Sequence, residues 1–229
     1  MKLAIMQPYF MPYLGYFQAI AAVDKYVVYD DVQYIKRGWI NRNNLIIGGQ
    51  KKMFSISLDG ASQNKLINEI SFIDNFNNFL LTLKYNYSKA PFYSEVYPLI
   101  ESICKFPKKG LGEFIYNSFV EICNFLDIKT ELMLSSSIEK DNTLKAEEKI
   151  IHICKVLKAK TYINAIGGQD LYSKQKFDEN GMKLYFIKMD NIEYKQFSNE
   201  FIPNLSIIDV LMHNGKEGTK ELLNKYTLV

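Results

Sequence analysis

The amino-terminal segment alternates apolar runs with a short helical pattern, and this order constrains the fold more than any other feature. Leu3 to Met6 is a short apolar run, Leu14 to Ala21 carries apolar residues at helical spacing, and Tyr26 to Tyr29 is apolar again. Two parallel strands need a crossover connection between them. The pattern therefore predicts a βαβ unit at the start of the chain.

The rest of the chain predicts further strands and helices around this unit. Two β-prone runs, Leu45 to Ile47 and Met53 to Leu58, flank Gly48-Gly49-Gln50-Lys51, which predicts a small antiparallel hairpin. A helical insertion is expected at about 75–127, with helices at Asn75 to Ser88, Ser94 to Lys105 and Leu111 to Leu126. Later strands are expected at Glu131 to Leu134, Thr161 to Ala165 and Lys183 to Ile187. Later helices are expected at Thr143 to Leu157, Gln169 to Asn180, Ser206 to His213 and Lys216 to Lys225.

These elements predict a single α/β domain spanning 1–229, with a Rossmann-like, mostly parallel sheet. Three segments, Leu3 to Met6, Tyr26 to Tyr29 and Thr161 to Ala165, are predominantly apolar. Parallel strands are covered on both faces, so we expect these three to be neighbours in one parallel sheet.

Composition and charge narrow the classes of protein to which this chain can belong. The chain has 229 residues, of which 48% are hydrophobic and 23% charged, as is typical of a globular domain. Its net charge of +3 is lower than a nucleic-acid-binding protein usually concentrates, so nucleic acid is not the expected partner. No apolar stretch reaches the roughly 20 residues of a membrane span. Without a signal-peptide pattern at its amino terminus, the protein is expected to be cytoplasmic.

Cysteine and histidine usage indicates neither a structural zinc site nor a disulfide framework. The three cysteines are widely spaced, lie in apolar helical contexts and form no CxxC pair. The two histidines are too few for a histidine-rich metal site, and no metal ligand is assigned.

Two loops that follow the first two predicted strands are rich in polar and aromatic residues. The first runs from Gln7 to Tyr16, where two prolines stiffen the chain and Gly15 lies at a helix start. The second runs from Asp30 to Asn43. Its adjacent carboxylates suit metal binding, amine orientation or general-base catalysis, and its arginines suit phosphate. A rigid aromatic turn and a solvated loop are the alternatives. We expect both loops to face one cleft, because ligands bind at the carboxyl ends of parallel strands.

Two later segments are further candidates. Gly167-Gly168 follows a predicted strand and precedes a helical pattern, which suits a backbone cradle for a phosphate or a carbonyl oxygen. Ser206 and Asp209 form an S-x-x-D pattern before an apolar run. This pattern predicts a capping box, with Ser206 as the N-cap and Asp209 returning to its amide. The sequence contains no phosphate-loop, dinucleotide or G-x-S-x-G motif.

Four segments together resemble the WbqC-like protein family in order and spacing. They are MQPYFMPYLGYF at 6–17, YDDVQYIKRGWINRN at 29–43, GGQDLY at 167–172 and FIPNLSIIDVL at 201–211. The resemblance runs from the first strand nearly to the end of the chain. Members often carry His before Gln-Pro, whereas this chain has Met6, so any role of that imidazole is missing here. The family is encoded in O-antigen and related polysaccharide clusters of bacteria, which implies lipopolysaccharide biosynthesis and work on an activated sugar.

The resemblance implies a transferase that adds an acyl or aminoacyl group to a nucleotide-linked amino sugar by amide formation. The alternatives are an ATP-using nucleotidylyltransferase-like enzyme and a non-catalytic sugar-nucleotide-binding protein. The small-molecule partners implied are the nucleotide sugar with an acyl or aminoacyl donor, or ATP in the first alternative.

Roles follow for the residues of these segments. Lys36, Arg37 and Arg42 would hold phosphates, while Asp30 or Asp31 would accept the amine proton. Gly167 and Gly168 would donate backbone hydrogen bonds to the developing oxyanion. The predicted catalytic set is Asp30, Asp31 and Gln33. The predicted substrate-binding set is Gln7, Tyr9, Tyr13, Lys36, Arg37, Trp39, Asn41, Arg42, Asn43, Gly167, Gly168, Tyr172, Ser206 and Asp209.

Overall fold

The chain folds around a six-stranded sheet. A computed structural model describes residues 1–197 and 200–229. In these residues the strands are β1 (Lys2–Met6), β2 (Lys25–Val28), β3 (Arg42–Ile47), β4 (Gln50–Ser55), β5 (Leu58–Asp59), β6 (Ser71–Phe72), β7 (Glu131–Leu134), β8 (Thr161–Ala165), β9 (Lys183–Met189) and β10 (Tyr226–Leu228). The order across the large sheet is β10-β9-β8-β1-β2-β7. Every neighbouring pair is parallel except β10 with β9.

The five parallel strands have the order of a doubly wound sheet. Counted along the chain, β1, β2, β7, β8 and β9 are the first to fifth, and across the sheet they lie as 3-2-1-4-5. The sheet therefore extends from β1 in two directions. Strands β2 and β7 lie on one side of β1, and the later strands β8 and β9 lie on the other. The predicted neighbours are confirmed, because β1 pairs in parallel with both β2 and β8.

Helices lie on both faces of this sheet. In the described residues they are α1 (Leu14–Ala21), α2 (Asn77–Tyr87), α3 (Tyr93–Cys104), α4 (Leu111–Phe125), α5 (Ala146–Val156), α6 (Lys174–Glu179) and α7 (Ile207–Leu223). Short 3₁₀ helices lie at Ile67–Glu69, Ser135–Ser137 and Ile166–Leu171. The expected mixed α/β class, with a mostly parallel sheet and several helices, is confirmed.

The apolar strands are buried because their alternating side chains enter two separate cores. Ala4 of β1 and Tyr26 of β2 pack with residues of α1, α4 and α7. Leu3, Ile5 and Val27, from the same two strands, pack with residues of α5 and α6 on the opposite face. Burial on both faces explains why these strands read as continuous apolar runs instead of alternating with polar residues.

The predicted hairpin is confirmed as β3 and β4, which pair in antiparallel orientation. Gly48 and Gly49 join them with φ values of 61° and 75°. A two-residue turn that matches strand twist needs positive φ at both positions, and glycine adopts it without a steric penalty. The strand bounds differ from the predicted runs: β3 begins earlier, at Arg42, and β4 spans Gln50–Ser55, so the predicted end at Leu58 is wrong.

The predicted helix Gln169 to Asn180 is wrong as a single element. The chain forms the 3₁₀ helix Ile166–Leu171, then extended backbone, then α6. Ser173 starts α6 as its N-cap, and its side chain accepts from the Lys176 N–H.

The end of the chain keeps the predicted break and adds a strand. Gly215, with φ 63° and ψ −165°, interrupts α7 between the two predicted helices. The strand β10 was not predicted, because three residues are too few to show a periodicity.

Candidate functional site

The reversal of strand order places a crevice at the carboxyl ends of β1 and β8. In open α/β sheets the loops diverge at such a point and leave space for a ligand. Two cavities lie along this edge of the sheet, one beside β1 and β8 and the other beside β2 and β7. Tyr29, the residue after β2, lines both cavities.

The cavity beside β1 and β8, called the aromatic cleft below, has a volume of about 550 Å³. It is lined by Ile5, Met6, Gln7, Pro8, Tyr9, Tyr13, Tyr16, Tyr29, Ile35, Gly38, Trp39, Ile40, Asn164, Leu171 and Tyr172. The rings of Tyr9 and Trp39 lie 6.0 Å apart at 38°, and the ring of Tyr16 meets Tyr9 edge-on at 6.0 Å. The cleft therefore offers several aromatic rings together with the amide groups of Gln7 and Asn164.

Contacts within and between the first two loops fix the walls of this cleft. The Tyr16 hydroxyl donates to the Gln7 carbonyl oxygen at 2.6 Å, and the Phe10 N–H donates to the Ile40 carbonyl oxygen at 3.0 Å. Arg42 closes the second loop from inside, since its Nε donates to the Gly38 carbonyl oxygen at 2.7 Å and its Nη2 donates to the Arg37 carbonyl oxygen. The same guanidinium lies 5.4 Å from the Trp39 ring centroid, so it also positions the indole.

The cavity beside β2 and β7, called the lysine pocket below, has a volume of about 780 Å³. It is lined by Tyr29, Asp31, Val32, Gln33, Leu66, Asn68, Ser136, Ile138, Lys140, Asn142, Leu144, Lys145, Ala146 and Lys149. Its charged groups are three ammonium groups and the carboxylate of Asp31.

Asp31 is the charged centre of the lysine pocket. Its Oδ2 lies 2.7 Å from Lys140 Nζ and 3.8 Å from Lys149 Nζ. Burial alone would raise the pKa of Asp31, but the hydrogen bond from Lys140 and the charges of both lysines hold it below its usual value. The carboxylate is therefore ionised at neutral pH and is a weak proton acceptor. Burial, with the charge of Asp31 as a smaller cause, raises the pKa of the neighbouring Tyr29 hydroxyl.

Asp30 lines neither cavity and holds a loop. Its side chain is almost fully buried, at 1% exposure. Oδ1 accepts from the Ser136 N–H at 2.9 Å and Oδ2 accepts from the Ser136 hydroxyl at 2.6 Å. Successive residues leaving a strand point in opposite directions, so only Asp31 of this pair faces a cavity.

The structure divides the predicted site residues among several places. The aromatic cleft contains Gln7, Tyr9, Tyr13, Trp39 and Tyr172, and the lysine pocket contains Asp31 and Gln33. Lys36 and Arg37 are exposed and line neither cavity. Gly167 and Gly168 lie in the 3₁₀ helix after β8 and also line neither. Both loops line the aromatic cleft, whereas Asp31 and Gln33 of the second loop line the adjoining lysine pocket.

Three other predicted residues connect the loops to the fold. Asn41 accepts from the Tyr34 hydroxyl at 3.0 Å and donates to the Ile56 carbonyl oxygen at 2.8 Å. The buried Asn43 donates to the Met11 carbonyl oxygen. The Ser206 hydroxyl donates to the same oxygen at 2.7 Å and caps α7. These hydrogen bonds fix the backbone of the loops that form the aromatic cleft.

Asp209 has a role that the capping-box pattern did not predict. Ser206 is the N-cap of α7, but its N–H donates to the Asn44 carbonyl oxygen and not to Asp209. The fully buried Asp209 carboxylate instead accepts from the Tyr87 hydroxyl at 2.8 Å and the Tyr194 hydroxyl at 2.7 Å. The predicted reciprocal cap is therefore wrong in its second half.

Lys140 and Lys149 are among the site residues that the sequence did not predict. Lys149 left a usable signal, since it lies four residues before the buried Ile153 on α5 and so falls on the apolar face of that helix. A lysine there is rarely buried without a partner. Lys140 left no such signal, because it lies in irregular chain after the 3₁₀ helix Ser135–Ser137.

Metal-ligand geometry and membrane spans were also sought in the described residues. No group of three or more His, Cys, Asp or Glu side chains in 1–197 and 200–229 is placed to hold a metal ion. Within the same ranges, every helix is too short or too polar to cross a bilayer.

Sheet order and cavity position together define an open, doubly wound α/β protein with one cavity at its switch point and a second beside it. The sequence model of the WbqC-like protein family matches residues 7–221, so the chain belongs to that family. It is 29% identical over 221 residues to Uncharacterized protein Rv1507c of Mycobacterium tuberculosis (strain ATCC 25618 / H37Rv). That match covers 94% of this chain and 95% of the mycobacterial protein. No solved structure matches the chain.

Proposed function

We propose that the protein is a transferase of surface-polysaccharide biosynthesis that acts on a nucleotide-linked amino sugar. In this proposal it adds an acyl or aminoacyl group to the sugar's amine and forms an amide. Membership of the WbqC-like family supports the setting, and the aromatic cleft supports the substrate class.

The observation that carries the substrate class is the set of rings at the switch point of the sheet. Trp39 is 47% exposed although it is the largest apolar side chain of the cleft, and Tyr9 packs beside it. An exposed aromatic face is favourable when a nucleobase or the apolar face of a sugar covers it. Gln7 and Asn164 supply polar groups in the lining of the cleft, where hydroxyl groups of a sugar would need partners.

The proposed reaction needs few charged groups from the protein. The amine nitrogen attacks the carbonyl carbon of the donor, the bond from that carbon to the leaving group breaks, and the departing group takes up the amine proton. Among the described lining residues of the aromatic cleft there is no carboxylate or imidazole. Asp31, in the adjoining pocket, is held ionised by Lys140, so we assign it to orienting lysines instead of accepting this proton.

Calorimetry with UDP-glucosamine and UDP-N-acetylglucosamine tests the substrate class. The wild type should bind both ligands, and Trp39→Ala should weaken binding by about 10- to 100-fold through the loss of stacking. Tyr85→Ala is the matched control, because Tyr85 is 80% exposed and lines neither cavity. Equal affinities of the two variants for UDP-glucosamine would contradict the assignment of the cleft.

Mass spectrometry of reaction mixtures tests the chemistry. UDP-glucosamine incubated with acetyl-CoA or with aminoacyl donors should gain the mass of the transferred group, and UDP-N-acetylglucosamine should not. Binding of ATP without binding of sugar nucleotides would favour the ATP-using nucleotidylyltransferase-like alternative. Tight sugar-nucleotide binding with no product from any donor would favour a non-catalytic sugar-nucleotide-binding protein.

A further inference from the structure

The residues first expected to hold phosphate are not placed to do so. Lys36 and Arg37 are exposed and line neither cavity. Arg42 directs Nε and Nη2 at carbonyl oxygens of its own loop. A nucleotide-linked sugar in the aromatic cleft would therefore need its charged linkage to be bound elsewhere.

The lysine pocket carries an excess of positive charge beside that cleft. Lys140, Lys145 and Lys149 line it against the single carboxylate of Asp31, which leaves a net charge of +2 among the charged side chains of the lining. The side chains of Lys140 and Lys149 are only 1% and 10% exposed. Concentrating ammonium groups in a recess is unfavourable unless an anion compensates them.

The two buried lysines differ in how their hydrogen bonds are used. Lys140 Nζ is surrounded by three acceptors, namely Asp31 Oδ2 and the carbonyl oxygens of Ser135 and Ile138. An ammonium group has three protons, so Lys140 has none left for a ligand. Lys149 Nζ lies 3.8 Å from Asp31 Oδ2, beyond hydrogen-bond distance, and 5.6 Å from the Tyr29 ring centroid. Its protons are available to a ligand in the pocket.

The amino terminus of α5 adds a second donor to the same wall. Residues Leu144, Lys145 and Ala146 line the pocket, and α5 begins at Ala146. Lys145, at the N-cap position, makes no side-chain hydrogen bond to the first turn. That turn holds two acidic residues. The Glu147 carboxylate accepts from the Ser173 N–H and pairs with Lys176, and Glu148 is exposed and does not line the pocket. Uncapped N–H groups at a helix start favour an anion.

We infer that the lysine pocket binds the diphosphate of the nucleotide-linked sugar, through Lys149 and the first turn of α5. The Asp31–Lys140 pair is the fixed part of this site, and it holds Lys149 over the ring of Tyr29. Tyr29 lines both cavities, so a ligand whose rings lie in the aromatic cleft can extend its phosphates past this residue. The identity of the ligand rests on the proposed function, whereas the anion site itself does not.

Calorimetry of the full chain with inorganic pyrophosphate tests the anion site directly. Wild type should bind pyrophosphate, and Lys149→Gln should weaken binding by about 10- to 100-fold, as loss of a charge-assisted hydrogen bond does. Lys155→Gln is the matched control, because it makes the same charge change on an exposed position of α5 and should alter affinity less than about 2-fold. Lys145→Gln, at an exposed position, should weaken binding by about 3- to 10-fold, and it decides the question if Lys149→Gln does not fold.

Two further ligands separate this inference from the proposed function. UDP and coenzyme A both carry a diphosphate, and Lys149→Gln should weaken the binding of UDP while leaving that of coenzyme A unchanged. Trp39→Ala should leave pyrophosphate affinity unchanged. If the wild type binds pyrophosphate in a Lys149-dependent way but does not bind sugar nucleotides, the anion site stands and only the proposed identity of its ligand is overturned. Three results would overturn the inference. The wild type does not bind pyrophosphate, Lys149→Gln and Lys155→Gln lose affinity equally, or Lys149→Gln weakens the binding of coenzyme A alone.

Discussion

Replacing Asp31 by Asn should destabilise the fold, because the change leaves a buried ammonium group without its counter-charge. Lys140 Nζ lies 2.7 Å from Asp31 Oδ2, and the Lys140 side chain is 1% exposed. Its other two acceptors, the carbonyl oxygens of Ser135 and Ile138, carry no formal charge. In the variant, Lys140 must lose its proton or pull its segment of chain towards water, and either outcome costs free energy of folding.

The magnitude follows from the burial of this pair. Removing one partner of a buried ion pair typically costs about 3–5 kcal/mol. Lys149 would lose the same counter-charge from 3.8 Å away, so we expect the upper part of that range, about 4–5 kcal/mol. The surface pair Lys25–Glu131, at 2.8 Å with side chains 29% and 56% exposed, is the comparison. Glu131→Gln should cost at most about 1 kcal/mol.

Urea unfolding at neutral pH measures these differences. The variants are Asp31→Asn, Lys140→Met, both changes together, and Glu131→Gln as the surface control. Because the double variant buries neither member of the pair, its loss should be smaller than the sum of the two single losses. A loss below about 1 kcal/mol for Asp31→Asn, similar to that of Glu131→Gln, would refute the claim that the pair is a buried support of the pocket.

The same pair predicts the direction of the acid response. Burial opposes ionisation of Asp31, yet Lys140 and Lys149 together hold its pKa below the usual 3.8. The stability that ionised Asp31 contributes is thus present above that value and is lost as pH falls through the lower folded-state pKa. The stability difference between wild type and Asp31→Asn should shrink over this acidic range.

Three further outcomes are expected. Gly215→Ala should destabilise by several kcal/mol in urea unfolding, because a Cβ there would lie 2.4 Å from Phe92 Cδ1 at a φ of +63°, whereas Gly181→Ala, with open space around it, should cost less. Burial raises the pKa of Asp209, so the stability contributed by its protonated form is lost as pH rises through the folded-state pKa. In unfolding curves, Asp209→Asn should therefore gain stability relative to the wild type from about pH 4 upward. Arg42→Ala should weaken UDP-glucosamine binding equally at about 0.05 M and about 0.5 M salt in calorimetry, since Arg42 acts by positioning Trp39 and not through its charge.

Local pattern was sufficient to predict most of the sheet and its helices. Strand β8 was predicted at its observed bounds, because a short apolar run between polar turns has few alternatives. The hairpin was equally predictable, because Gly48-Gly49 favours a two-residue turn with positive φ at both positions, which few other residue pairs adopt. These features depend on residues that are close together in sequence, where periodicity and turn chemistry apply directly.

The side-chain partners at the site were not predictable in the same way. Asp30 binds Ser136, which is 106 positions away, and Tyr87 binds Asp209, which is 122 positions away. Nothing in the local sequence distinguishes a carboxylate that faces a cavity from one that closes a loop. Sequence therefore pointed to the loops after β1 and β2, which line the two cavities. The hydrogen-bond partners of their polar side chains depend on residues far away in the chain.

The adjacent aspartates after β2 show how one short segment builds a whole pocket. Asp30 turns inward and fixes the Ser136 backbone and hydroxyl, which sets the position of the 3₁₀ helix Ser135–Ser137. The carbonyl oxygen of Ser135 then accepts from Lys140, and Asp31 turns outward to meet the same ammonium group. One carboxylate thus positions the chain that carries Lys140, and the other neutralises it. Because Lys140 is committed to these acceptors, Lys149 is the buried lysine whose protons are available to a ligand, beside Tyr29 and the adjoining aromatic cleft.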